Sequence, residues 1–223
     1  MSNEIYDIAN GFGFTFAQAD ECHDVSPEMF LSLIINEYGI KLIKREARLH
    51  SLVRTWIKTN ARFLRTDALK KISLTFESVE LSILASFCAI ARENDSSSRW
   101  DKLIDFLRKR IVESTASLVP ESYPEERMDS YLLEFGIRTR SISFQDLRKF
   151  KGRDWLIQNS PWIRNRLIMT VSARADMATY LGLYSDPTEE SVCSQIFIGR
   201  SSYFSLKEDV SVINDFLPSY DCA

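Results

Sequence analysis

An arginine and a histidine near the start of the chain have the types and the spacing for phosphodiester chemistry. Arg45 and His50 are separated by four residues in a stretch with helical periodicity. A histidine can take up and return a proton near neutral pH, and an arginine can hold a scissile phosphate. The pair is a candidate catalytic site, and the alternative interpretation is a solvated basic face of a helix.

This spacing is similar to a pattern in all-α ribonucleases of the HEPN family, which carry an arginine and a histidine on one helix with four to six residues between them. The resemblance implies an RNA-cleaving enzyme in which Arg45 and His50 form the catalytic pair. We keep this as the enzymatic alternative.

The charge of the chain is strongly segregated, although its net value is only −3. Residues 41–71 contain ten bases and two acids, and residues 137–174 contain nine bases and two acids. Basic blocks of this kind can face a polyanion, or they can be neutralised inside the fold by the acidic blocks around them. The candidate phosphate-binding bases of the second block are Arg148, Lys149, Lys151, Arg153, Arg164, Arg166 and Arg174.

The last third of the chain has the pattern of a helix-turn-helix. A helical run ends near Leu183, and the acidic segment at residues 186–190 starts a second helix. Gly199 then precedes a third helix that is predicted to run from Tyr203 to Phe216. The helix that follows such a turn can enter a DNA groove by its N-terminus. The candidate base and phosphate contacts are therefore Arg200, Ser201, Ser202 and Tyr203.

Residues 166–216 resemble the DNA-binding domain of bacterial winged-helix regulators. The small-Arg-small-acidic sequence at residues 172–177 is similar to the start of the family's first helix, and Gly199 stands where the family's turn often has a left-handed residue. The resemblance implies a DNA-binding regulator. The predicted recognition helix is nevertheless acidic, with Glu208, Asp209 and Asp215 against Lys207. A DNA-binding-derived module that contacts protein, or a non-catalytic interaction scaffold, is therefore the alternative.

Composition indicates the fold class and excludes several kinds of site. Hydrophobic residues make up 45% of the chain, with only 7 Gly and 6 Pro, which favours helices over turn-rich sheets. The four cysteines form no Cys-x-x-Cys pair and there are two histidines, so we expect neither a zinc site nor another cofactor. Without a signal-peptide pattern or a long apolar run, the chain is expected to be cytoplasmic, with reduced thiols and no membrane partner.

These observations predict an all-α, multi-helix bundle with a C-terminal helix-turn-helix-like three-helix module and at most a minor β element. Residues 1–24 show no helical period, and Gly11 to Phe14 is predicted to be a loop or a short strand. Helices are predicted to start at Pro27 and at Pro161, the latter running with a kink to Leu183, and a longer helical stripe is predicted at residues 42–63. The apolar run at residues 76–93 is predicted to be a central helix. Residues 138–143 are predicted to be a short strand, followed by a brief helix that starts at Ser143 and ends at Gly152. Pro120 to Pro124 is the predicted linker between an N-terminal helical domain, residues 1–119, and a C-terminal domain, residues 125–223.

Overall fold

The computed structural model describes residues 4–16, 19–112, 116–142 and 149–214, and within these ranges the protein is an all-α structure with one minor sheet. The predicted fold class is confirmed. No helix of the described ranges is long and apolar enough to cross a membrane. The α-helices are α1 (Glu4–Gly11), α2 (Pro27–Tyr38), α3 (Ile40–Lys44), α4 (Ala47–Asn60), α5 (Thr66–Ile72), α6 (Ser78–Asn94), α7 (Arg99–Arg108), α8 (Ser130–Glu134), α9 (Arg153–Asn159), α10 (Pro161–Met169), α11 (Ala173–Leu183), α12 (Glu189–Gln195) and α13 (Arg200–Asn214).

Short 3₁₀ helices and two short strands complete these elements. The 3₁₀ helices span Ala61–Phe63, Ser73–Thr75 and Glu125–Arg127. Strand β1 (Ala116–Ser117) pairs in parallel with β2 (Ile137–Arg138), with Ala116 opposite Ile137. The strand predicted at residues 138–143 is thus a two-residue strand that starts one residue earlier.

The chain divides into two compact units that do not follow the predicted domain order. The terminal unit contains Met1–Phe30, Phe63–Ala68 and Phe150–Ala223, and the central unit contains Leu31–Arg62 and Leu69–Lys149. The predicted linker at residues 120–124 lies inside the central unit, because β1 before it pairs with β2 after it. The two prolines there lie in a connection between two strands of one unit.

One hydrophobic core of the terminal unit lies among α10, α11, α12 and α13. Trp162 is fully buried in this core, and its indole Nε1 donates a hydrogen bond of 2.8 Å to the carbonyl oxygen of His23. An indole N–H inside a core needs such a partner. The other buried members of the cluster are Met177, Ala178, Tyr180, Val192, Ile196, Tyr203 and Val210.

The N-terminal segment forms helix α1, although the sequence of residues 1–24 showed no helical period, and a turn and an isolated bridge at Phe14 follow the helix. Ile5, Ile8 and Ala9 are buried at helical spacing on one face of α1. The periodic stretch covers only two turns before Gly11, which is too short for the pattern to stand out among flanking glycines. The buried Phe14 that follows packs edge-on against Phe30, with ring centroids 5.7 Å apart.

The central unit is built around α6, as its apolar sequence predicted. Every residue of α6 from Leu81 to Ala91 is buried, and α4, α7 and α8 all pack against this helix. The long helical stripe predicted at residues 42–63 is interrupted, since α3 ends before Arg45 and α4 begins after Glu46.

The helical run expected from Pro161 to Leu183 is also two helices. Thr170 follows α10 with a φ of 66°, a left-handed conformation that a helix cannot continue through. Residues 153–159 form α9, which the sequence analysis did not predict. The brief helix expected to start at Ser143 lies largely outside the described residues.

A substitution at Gly11 tests the packing of the N-terminal segment. A Cβ atom there would lie 1.9 Å from the carbonyl oxygen of Cys22, so the backbone must shift. We expect Gly11→Ala to lower the free energy of unfolding by about 1–3 kcal/mol, as measured by denaturant unfolding. The matched control is Gly152→Ala, where nothing lies within 4 Å and the change should stay below about 1 kcal/mol. Equal stability of the two variants would contradict this packing.

Candidate nucleic-acid interface

Helices α12 and α13 are joined by a four-residue turn, residues 196–199. The Thr188 hydroxyl caps α12 by accepting a hydrogen bond of 3.2 Å from the amide of Ser191. The turn is anchored by the buried Ile196, and the amide of Ile198 donates to the carbonyl of Cys193 at 3.1 Å. Helix α13 then begins at Arg200, three residues before its predicted start at Tyr203. The sequence pattern helix, turn, helix is therefore present in this part of the chain.

The left-handed residue of this turn is Phe197 and not Gly199. Phe197 has a φ of 55°, whereas Gly199 lies outside the left-handed region and nothing lies within 4 Å of the position of its missing Cβ. Phenylalanine rarely adopts this conformation. Its neighbour Ile196 is fully buried in the core and Ile198 is half-buried against it, and this packing holds the turn in place.

Helix α13 packs by one face and exposes the other. Tyr203 and Val210 are buried and Leu206 is half-buried, at positions i, i+7 and i+3. The predicted contact residues Arg200, Ser201 and Ser202 are exposed at the N-terminus of the helix. Tyr203, the fourth predicted contact, faces the core instead, because the heptad spacing puts it in line with Val210.

The exposed arginines of this module each face a carboxylate. Arg200 Nε lies 2.8 Å from Glu189 of α12, and Arg174 Nη2 lies 2.5 Å from Asp209 of α13. All four side chains are substantially solvent-accessible. Surface pairs of this kind contribute only about 0–1 kcal/mol, so a phosphate group can replace the carboxylate as the partner of either arginine.

The remaining predicted phosphate-binding bases differ widely in exposure. Lys151 and Arg153 are exposed, and Lys151 Nζ lies 5.2 Å from the centroid of the Trp155 ring. Lys149 and Arg164 are half-buried, and Arg164 donates to the carbonyl of Gln158 at 3.2 Å. Arg148 lies outside the described residues.

Arg166 is fully buried and presents nothing to solvent. Its guanidinium donates to both carboxylate oxygens of Glu28, at 2.8 and 2.7 Å, and to both oxygens of Asp176, at 2.6 and 2.7 Å. A fifth hydrogen bond of 2.6 Å goes to the carbonyl of Phe63. All five N–H donors of the side chain are therefore used, and Arg166 serves the core of the terminal unit.

Arg65 extends this buried network. Its Nη1 donates to Asp176 at 2.8 Å and to the carbonyl of Ile196 at 3.1 Å, while its backbone amide donates to Glu28 at 2.6 Å. Burial raises the pKa of Asp67, but the hydrogen bond and the charge of Arg65 outweigh it and hold the pKa below its usual value. We call Glu28, Arg65, Arg166 and Asp176 the buried charge network.

The buried charge network could not be predicted from sequence spacing because its partners are far apart in the chain. Glu28 and Arg166 are 138 residues apart, and no local spacing links them. The available signal was the position of Asp176 in the interior of an otherwise apolar helical stretch, since an unpaired carboxylate is seldom buried.

The candidate catalytic pair of the nuclease hypothesis lies on two separate elements. Arg45 is exposed at the end of α3, whereas His50 is fully buried in α4, with its ring centroid 5.8 Å from that of Phe87. Neither ring nitrogen of His50 has a hydrogen-bond partner among the described residues. Burial, followed by the charge of Arg54, lowers the pKa of His50 to about 3. A histidine in this setting stays neutral and cannot reach a phosphodiester, so the structure gives the nuclease hypothesis no support.

The chain matches no protein-family model, no curated protein and no solved structure. Within the described ranges, no three histidine, cysteine or carboxylate side chains come together as a possible metal site.

Removing a carboxylate from the buried charge network should destabilise the protein. Asp176→Asn leaves Arg166 and Arg65 without one negative partner, and we expect the free energy of unfolding to fall by about 3–5 kcal/mol. Asp209→Asn is the matched control, since it removes the exposed partner of Arg174 and should cost about 0–1 kcal/mol. Denaturant unfolding of both variants measures the difference, and a similar loss in both would contradict the structural role of the network.

The buried imidazole of His50 predicts a specific dependence of stability on pH. The unfolded chain protonates His50 below its ordinary pKa of 6.5, while the folded protein keeps it neutral down to about pH 3. The stabilisation is therefore complete above the unfolded pKa and is lost as the pH falls through this window. Between about pH 7 and pH 5, the wild type should lose about 2 kcal/mol more than His50→Leu.

The second histidine provides the control for this measurement. His23 is less buried, and the charges of Glu21 and Asp24 oppose the effect of burial on its pKa. We expect the free energy of unfolding of His23→Leu to depend on pH more nearly as the wild type does than that of His50→Leu. Identical pH profiles for wild type and His50→Leu would show that His50 is accessible to protons in the folded state.

Proposed function

We propose that this chain is a DNA-binding regulatory protein that docks on duplex DNA through α11, α12 and α13. The observation that carries the proposal is the geometry of the turn and of α13. A tight turn leads into a 15-residue helix whose buried Tyr203 and Val210 fix it to the core. The same packing leaves Arg200, Ser201 and Ser202 exposed at the N-terminus, the end that enters a groove in helix-turn-helix proteins.

The chemistry of the exposed N-terminus supports phosphate contact. The first backbone N–H groups of a helix have no partner within it, and the positive end of the helix dipole favours an anion. The hydroxyls of Ser201 and Ser202 add neutral donors, and the guanidinium of Arg200 adds a charged one. Arg174 on α11 contributes a second charge when its pairing with Asp209 is exchanged for a phosphate.

A protein-contact role for the same helix is the second candidate function. Phe204 and Val212 of α13 are 55% and 64% exposed, and the exposed charges of α13 nearly cancel. Apolar exposure on a charge-balanced helix favours a protein surface over a phosphate backbone. This candidate and the DNA proposal make opposite predictions for DNA binding at low salt.

Fluorescence anisotropy of a labelled mixed-sequence duplex tests the DNA proposal. We expect binding at low salt that weakens about 100-fold between about 50 and 200 mM, as about four phosphate contacts require. Arg174→Gln and Arg200→Gln should each weaken binding and reduce the salt slope by about 1. Asp209→Asn should strengthen binding because it releases Arg174.

The control for this titration is Arg127→Gln, an exposed arginine of the central unit that follows Glu125 and Glu126. Its removal changes the net charge equally and should leave DNA affinity unchanged. Absence of binding by the wild-type protein at low salt would overturn the DNA proposal in favour of the protein-contact candidate.

A further inference from the structure

The turn that links α3 to α4 in the central unit carries a group of exposed bases. Leu42 and Ile43 of α3 are buried, which directs the other side of this short helix outward. Lys41, Lys44 and Arg45 are exposed on that side. They are spaced at i, i+3 and i+4, and the amide of Arg45 donates to the carbonyl of Lys41 at 2.8 Å, so the three share one turn of backbone.

Arg48 adds a fourth exposed base on the first turn of α4. The neighbouring Leu49, Leu52 and Val53 are buried, so the core-facing side of α4 is distinct from the side that carries Arg48. Within residues 40–60 the only acid is Glu46, which is half-buried. We call Lys41, Lys44, Arg45 and Arg48 the α3–α4 basic surface.

None of these four bases has an ion pair with a described residue. This contrasts with other arginines of the central unit, since Arg54, Arg99 and Arg108 each pair with a carboxylate. Like charges on one helical turn repel each other by a few tenths of a kcal/mol per pair. An external polyanion would relieve this repulsion, and clustered unneutralised bases are the electrostatic signature of such a partner.

The surroundings of the basic surface favour a phosphate backbone over a lipid surface. Membrane-surface helices combine basic residues with large apolar side chains that insert between headgroups. Among the described residues, the exposed large apolar side chains are Leu74, Val112, Leu167, Ile168, Phe204 and Val212. None of them lies within residues 40–60, so this segment has basic side chains but no exposed large apolar side chain that could insert into a bilayer.

We infer that Lys41, Lys44, Arg45 and Arg48 form a sequence-independent binding surface for the phosphate backbone of a nucleic acid. The first backbone amides of α4 have no partner within the helix, and they favour an anion at the end of α4 that carries Arg48. The inference is independent of the proposed function, because it uses no residue of α11, α12 or α13.

Anisotropy titrations of the full chain with a labelled duplex and a labelled single strand of mixed sequence test this inference. In the variant K41Q/K44Q/R45Q, about three phosphate contacts are lost. The salt slope should therefore fall by about 2–3 and the low-salt affinity by about 10-fold or more. The matched control is K102Q/K109Q/R127Q, which removes three exposed bases elsewhere in the central unit and should bind as the wild type does. Both variants change only exposed side chains, and circular dichroism should give them the wild-type thermal transition.

The outcomes separate this inference from the proposed function. Loss of affinity in K41Q/K44Q/R45Q but not in R174Q/R200Q supports the α3–α4 basic surface and counts against α13. The reverse result overturns the inference and leaves the proposed function in place. Wild-type binding to phosphatidylserine vesicles but to neither nucleic acid also overturns it, as does equal affinity of K41Q/K44Q/R45Q and its control.

Discussion

The terminal unit depends on one requirement, that every charge in its interior be satisfied. Arg166 is surrounded by two carboxylates and a backbone carbonyl that together accept all five of its N–H donors. Such a group costs several kcal/mol to bury and is tolerated only with complete pairing. Because the partners come from α2, α11 and the segment before α5, their positions are fixed together. Helices α11 to α13 share this constraint, since Asp176 belongs to α11 and Ile196, whose carbonyl accepts from Arg65, is the first residue of the turn after α12.

The same chemistry divides the basic residues of the chain into two groups. Arg54, Arg65 and Arg166 are buried, and each is paired with a carboxylate in a fixed position of the core. Lys41, Lys44, Arg45 and Arg48 remain outside without a described ion pair, while Arg174 and Arg200 hold weak surface pairs. The second group has charge to offer to another molecule, whereas the first does not. Both functional proposals rest on this distinction between buried and exposed cations.

Periodicity predicted much of the fold, and it failed where the deciding contacts are distant. The apolar run of α6 and the proline start of α2 are local signals, and both helices are where the sequence placed them. Periodicity could not predict which of the candidate site residues are buried and which are exposed. Arg164 and Arg166 are two residues apart on one helix, and only the folded chain shows that the second is buried against Glu28. Likewise, Tyr203 was expected to contact a ligand, but it lies seven residues before Val210 on the same face of α13, and both side chains are buried in the core.

The discontinuous composition of the terminal unit also has a consequence for biosynthesis. Asp176 follows Arg65 by 111 residues, and at about 5–20 residues per second the ribosome needs about 6–20 s to make that stretch. During this interval Glu28 and Arg65 have emerged without their main counter-ions, so they stay hydrated and the segments that carry them cannot close. The central unit ends at Lys149, so its synthesis is complete before Asp176 is added, and it can fold during this interval. Vectorial synthesis therefore imposes an order in which the core of the terminal unit assembles last.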